Sequence, residues 1–115
     1  MEIQAGLLLV VKSAHLGDSE PDLGATLMKS FLTMLWESGK LPAKMAFFAS
    51  GVFLTTEGSP VAETLEKFVS CGTEIVSCST CLEYYGRKEK LLVGQPTTMR
   101  DTVNALLAFE KVLYA

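Results

Sequence analysis

Basic residues are not in excess in this chain. Ten Lys and Arg stand against thirteen Asp and Glu, a net charge of −3. That excludes the broad basic face a phosphate backbone requires, so nucleic acid is not an expected partner. Long apolar runs are missing too: Gly6 to Val11 is far shorter than the roughly 20 residues that span a bilayer. The opening Met1-Glu2-Ile3-Gln4 lacks the basic region of a secretory signal, and no small-residue cleavage site follows the apolar run. A cytoplasmic, membrane-free protein is the expectation. Cysteine is scarce, with three residues, Cys71, Cys78 and Cys81. An odd count does not fit the fully paired framework of a small secreted domain. Histidine is scarcer still, with His15 alone. A zinc site needs four ligands, and nothing in the spacing unites Cys71 and His15 with the other two cysteines. No metal and no cofactor are therefore expected. No internal repeat, low-complexity stretch or linker interrupts residues 1–115, which read as one α/β domain.

Apolar residues make up 49% and charged residues 20% of the chain, an ordinary globular balance. Short apolar runs alternate with amphipathic stretches, the pattern of βαβ units and a mainly parallel sheet. Ala5 to Lys12 reads as a strand buried on both faces. His15 to Glu20 is a loop, and Pro21 suits the first turn of a helix. Leu23, Leu27, Phe31 and Leu35 form that helix's apolar stripe, widened by Met28 and Met34. Gly39 ends it. Ala43 to Ala49 is a second strand and Ser50 to Gly58 a loop. Ser59 is placed as the cap of the next helix, with Pro60 at its first position. Val61, Leu65, Phe68 and Val69 are its buried face, and Gly72 is its left-handed cap. Thr73 to Ser77 is a third strand, leading straight into Cys78.

Thr80 and Glu83 have capping-box spacing, which predicts a short helix from Cys81 to Tyr85, stopped by Gly86. Leu91 to Val93 is a fourth strand. Thr98 and Asp101 repeat the capping spacing before Met99, Val103, Leu106 and Leu107. Lys111 to Tyr114 closes a five-stranded sheet with helices on both faces, a three-layer α/β/α arrangement.

Open parallel sheets bind ligands at the carboxyl ends of their strands. Three polar loops lie there, and their binding positions are Gly17, Gly51, Ser79 and Thr80. The chemistry-bearing residues are Cys78 and Cys81. With Thr80 as cap, Cys81 takes the first helical position, where unpaired N–H groups and the helix dipole favour the thiolate. Cys78 is near enough to attack a sulfur-loaded Cys81 and form a disulfide. Persulfide or selenosulfide transfer, dithiol–disulfide exchange and a structural role for buried thiols all remain open from the residues. The thioredoxin pattern fits poorly, because Ser79-Thr80 replaces its usual Gly-Pro and the pair follows the third strand. His15 is a candidate base, though a loop histidine satisfied by solvent or backbone is the better explanation; Tyr84 and Tyr85 are candidate walls, with an oligomer interface an equal candidate.

Several blocks resemble one family. They are Leu23 to Met28, Gly51-Val52, Glu57 to Val61, Val93-Gly94, Thr98-Met99 and above all Cys78-Ser79-Thr80-Cys81-Leu82-Glu83-Tyr84-Tyr85-Gly86. They are similar to the DsrE-like C-terminal domain of the YedF proteins, which are described as sulfurtransferase-like and linked to selenium metabolism. The resemblance implies the DsrE/DsrF-like fold, homo-oligomers, and a sulfur-relay partner of the kind of the TusA-like domain those proteins carry N-terminally. It implies that Cys81 carries the persulfide. Two positions depart from the pattern: Ser79 stands where Gly is favoured, and Ala49 where Asn precedes the Ser-Gly-Val loop. The expected function is sulfur or selenium relay, with a non-catalytic ligand- or protein-binding module or a thiol redox protein as the alternatives.

Overall fold

The structure, a computed structural model, describes residues 1–115. Its elements in chain order are β1 (Glu2–Val11), α1 (Pro21–Glu37), β2 (Lys40–Phe47), a 3-10 turn (Ala49–Leu54), α2 (Ala62–Ser70), β3 (Glu74–Cys78), α3 (Ser79–Tyr84), a second 3-10 turn (Lys88–Lys90), β4 (Gln95–Thr97), α4 (Met99–Ala108) and β5 (Lys111–Tyr114). The strands form one sheet in the order β4-β3-β2-β1-β5, and all four pairings are parallel. The expected α/β sandwich around a five-stranded parallel sheet is the observed architecture.

Successive strand residues point to opposite faces, and here both faces are apolar. Leu9, Val11, Met45, Phe47 and Ile75 face the main core, together with Met28 and Leu32 of α1 and Leu65 and Phe68 of α2. Leu8, Val10, Ala46 and Val76 face the opposite way, where Ala105, Leu106 and Phe109 lie against them. Helices α1 and α2 thus cover one face and α4 the other.

The helix faces differ from those expected. In α1 the buried residues are Gly24, Met28 and Leu32, and the expected Phe31 and Leu35 pack partly buried against the core, whereas Leu23, Leu27 and Met34 are exposed. The stripe turns one residue from its expected line because Gly24 packs on the first loop. A Cβ there would sit 2.6 Å from the Cβ of His15. In α4 the inward residues are Thr102, Ala105 and Leu106, leaving Met99, Val103 and Leu107 exposed.

Thr98 does cap α4, its Oγ1 accepting the Asp101 N–H at 3.1 Å. Gly72 does close α2, with φ +109° and the Thr73 N–H on the Phe68 carbonyl. Ser59 instead accepts the N–H of Val61 at 3.1 Å, and α2 begins only at Ala62. Ser59 to Val61 is a turn before the helix, so Pro60 is not its first residue. Leu91 to Val93 is not a strand. Leu91 forms an isolated antiparallel bridge with Thr56, while the N–H groups of Leu92 and Val93 both donate to the Thr55 carbonyl. The fourth strand is Gln95–Thr97.

The rotated face of α1 is measurable by urea denaturation. Leu32→Ala is expected to cost about 3 kcal/mol, a buried leucine's cavity and transfer terms combined. Leu27→Ala, at an exposed position, is expected to cost under about 1 kcal/mol. Equal losses would return the buried stripe to the Leu23–Leu27 line.

Candidate functional site

The carboxyl ends of β1, β2 and β3 carry the loops that build the candidate site. Ser13 and Ala14 follow β1, the Ala49–Leu54 turn follows β2, and Cys78 ends β3. Ser50 joins the first two: its Oγ accepts the Ala14 N–H at 3.0 Å and contacts Ser13 Oγ at 3.3 Å. Gly51 is fixed by sterics, since a Cβ there would lie 2.6 Å from the Val11 carbonyl oxygen. It is buried within the turn.

The cysteine turn differs from the expected capping box. The cap of α3 is Cys78, not Thr80, and the helix begins at Ser79. The Sγ of Cys78 accepts the Cys81 N–H at 3.4 Å. Cys81 therefore holds the third helical position rather than the first. A short helix that starts inside the motif satisfies this N–H with sulfur, which leaves the hydroxyl of Thr80 exposed and without a capping role. Gly86 ends α3 with φ +66°, the Arg87 N–H bonding the Leu82 carbonyl at 2.8 Å.

Both thiols are free; Cys78 is buried and Cys81 partly exposed. Cys81 Sγ also accepts the N–H of Ala49 at 3.2 Å. Ala49 has φ +50°, a left-handed conformation that is uncommon outside glycine and in which Asn is several-fold enriched. The resembled family favours Asn at this position, and the backbone angle accounts for that preference without a ligand.

The thiol of Cys81 is held above its ordinary pKa. Burial raises it, the neighbouring Cys78 side chain raises it further, and the hydrogen bond from Ala49 lowers it without cancelling the first two. The expected thiolate at a helix start is thus corrected: at neutral pH Cys81 is a protonated thiol. The nearby cations do not alter this. Lys88 pairs with Glu83 at 3.6 Å on the surface, and Arg87 turns to Thr56 and Glu57.

The structure brings Cys78, Ser79, Thr80 and Cys81 into one turn and sets the Ala49–Leu54 turn, with Gly51, against it. Gly17 lies elsewhere. It lines a cavity of about 310 Å3 with Lys12, His15 and Asp18. No three His, Cys, Asp or Glu side chains converge. Tyr84 is exposed, and Tyr85 stacks on Phe53 with ring centroids 4.6 Å apart. Ala49, a departure from the resembled pattern, enters the site through its backbone N–H, and Arg87 lies past the end of α3. The φ preference of Asn at the family position is a signal for the first; nothing local signals the second.

Alkylation rates read the thiol directly. In the native chain the rate at Cys81 is expected to keep rising with pH beyond the ordinary thiol range, because its half-ionisation lies above it. Cys78→Ala is expected to move that profile to lower pH by removing one raising neighbour. By linkage, the raised group stabilises the fold below the unfolded thiol's pKa, and that contribution is lost as pH rises through the folded value. A profile centred below the ordinary thiol value would contradict the assignment.

No protein-family model matches the chain, and no curated protein sequence matches it. Solved structures do. A protein of unknown function, MTH1491 from Methanobacterium thermoautotrophicum, superposes with a TM-score of 0.71 at 12% identity, over 97% of this chain and 100% of its own. The ychN protein from E. coli gives 0.68 at 18% identity, over 97% and 100%. A conserved protein of unknown function, BT1422 from Bacteroides thetaiotaomicron, gives 0.66 at 16% identity, over 96% and 95%. The chain shares the fold of these proteins across nearly its whole length.

Proposed function

We propose that this chain is a sulfur- or selenium-relay protein of the DsrE type, acting in the cytoplasm, with Cys81 as acceptor and Cys78 as resolving thiol. One observation carries the reading. The partly exposed sulfur of Cys81 rests on the Ala49 N–H, and the buried sulfur of Cys78 is bound to the N–H of Cys81 itself. The pair thus has one sulfur open to a partner and one held in reserve.

In the transfer step Cys81 loses its proton, and its sulfur attacks the terminal sulfur of a donor persulfide. The donor's S–S bond breaks, the donor leaves as a thiol after taking a proton, and Cys81 becomes the persulfide. If no acceptor takes that sulfur, Cys78 attacks the inner sulfur of Cys81. The intramolecular disulfide forms and hydrosulfide leaves; the persulfide is the oxidant, so none is needed from outside. A cellular dithiol restores the pair by exchange. The raised pKa means that ionisation of Cys81 is the costly part of loading. A thiol of higher pKa, once ionised, is also the stronger nucleophile.

The same raised pKa favours a second reading, a non-catalytic binding module in which the pair is structural. Mass spectrometry separates the two. After incubation with a low-molecular-weight persulfide, the native chain is expected to gain one sulfur on Cys81. Cys81→Ser is expected to gain none, and Cys78→Ser to hold its sulfur longer than the native chain. A folded native chain that gains no mass at Cys81 would leave the module.

The outward stripe of α4, Met99, Val103 and Leu107, supports a homo-oligomer, because a stripe at i, i+4 and i+8 has no covering element within the chain. Light scattering is expected to give more than one protomer, and Leu107→Glu to reduce it; a strictly monomeric native chain refutes the assembly.

A further inference from the structure

The segment that carries Ala49 to the thiols runs on into a separate concavity. His15, Phe53, Leu54, Glu57, Pro60 and Arg87 line a cavity of about 300 Å3. Cys81 does not line it. Most of its walls are apolar, and its one fixed cation is Arg87.

Arg87 is held on two sides. Its guanidinium carbon lies 4.4 Å from the centroid of the Phe53 ring. Its Nη1 donates to Thr56 Oγ1 at 3.2 Å and to the Glu57 carbonyl at 2.9 Å. A guanidinium has five N–H donors, two of them on Nη1. The remaining three belong to Nε and Nη2, the edge that takes a carboxylate in two parallel hydrogen bonds. No protein group accepts a hydrogen bond from that edge. The chain's two ion pairs are Lys44–Glu74 and Lys88–Glu83, so the neighbouring Glu57 binds Arg87 through its backbone and not through its carboxylate. A guanidinium oriented by stacking and two hydrogen bonds has already given up the freedom that binding an anion would otherwise cost.

We propose that this cavity binds a small monocarboxylate with an apolar body. Its two oxygens take the Nε–Nη2 edge of Arg87, and its body lies against Phe53, Leu54 and Pro60, with His15 as a further polar wall. The volume is at the lower end of small-molecule sites and suits a ligand of few heavy atoms. The Glu57 carboxylate on the rim repels anions, and it repels a dianion more than a monoanion. Apolar walls also cannot replace the hydration of inorganic phosphate. Both point to a carboxylate rather than a phosphate group. The assignment does not depend on Cys81 carrying sulfur.

Benzoate is a suitable probe, followed by NMR on the full isotope-labelled chain. The native protein is expected to show saturable shifts at His15, Phe53 and the Arg87 Nε, with a dissociation constant in about the millimolar range. Arg87→Lys keeps the charge and loses the fork, and is expected to weaken binding about tenfold. Glu57→Gln removes the rim charge from an exposed side chain and is expected to tighten binding a few-fold, a gain that loss of folding cannot mimic. Inorganic phosphate is expected to give no saturable shift at these residues. Absence of saturable benzoate shifts, phosphate binding as tightly as benzoate, unchanged affinity in folded Arg87→Lys, or no gain in Glu57→Gln would each overturn the proposal.

Discussion

After β2 the backbone passes the end of β1 so closely that one carbonyl, that of Val11, serves two neighbours. It accepts the N–H of Phe48 at 2.9 Å, the last step of the ladder between the two strands. It also forms the wall against which Gly51 lies, where a Cβ would sit 2.6 Å away. Ala49 falls between these two points and reaches across only by taking φ +50°. Its N–H then leaves the sheet and meets Cys81 Sγ. The position of the Cys81 sulfur is thus set by main-chain packing two strands away. A side chain at position 51 would move the whole turn.

That origin explains why the thiol is not activated in the way a helix start would activate it. The helix dipole acts over the first turn and falls off quickly, and α3 is only six residues long. Cys81 sits at its third position, and its N–H is already given to Cys78. What remains is one backbone donor, from Ala49, against burial and a second thiol, and the last two prevail. The site therefore holds Cys81 as a thiol instead of a thiolate. A relay built this way reacts when something lowers the cost of ionisation, such as a docked partner bringing positive charge. The alternative module needs no such event.

The first three strands were legible as short, largely apolar runs, such as Ala5 to Val11, and the helix stops were legible because Gly72 and Gly86 stand just beyond apolar periodic segments. The location of the cysteine turn was legible from the third strand running into Cys78. Its detail was not. Ser, Thr, Asp and Asn are the caps that propensity recognises, and here sulfur takes that place one residue pair earlier, so Cys81 moves from first to third position. The run Leu91 to Val93 has strand composition, yet its N–H groups are used by the Thr55 carbonyl, a tertiary contact no local pattern announces. The stripes of α1 and α4 held more apolar residues than the core could cover, and periodicity alone did not say which line faces inward. For α1 the missing side chain of Gly24, packed on His15, decided it.

Arg87 and the cysteine turn are linked through buried hydroxyls. Thr55 Oγ1 lies 2.7 Å from Ser77 Oγ on β3, and Thr56 Oγ1 donates to the Val52 carbonyl while accepting from Arg87. Thr55, Thr56 and Ser77 are all fully buried, and no buried side-chain polar atom is left without a partner. Breaking the Thr55–Ser77 bond leaves the Ser77 hydroxyl without its partner in the interior, at about 1–3 kcal/mol. The connection after β2 is therefore not a mobile loop. The Ala49 N–H at one end and the Phe53 ring at the other are held in fixed relation by bonds that exclude slack. Tyr85 adds a second tie, because it directly follows the helix that carries Cys81 and packs its ring on that of Phe53. The hydroxyl network that places the arginine fork also keeps the sulfur on its single backbone donor, so the two sites share one mechanical support while their chemistry stays separate.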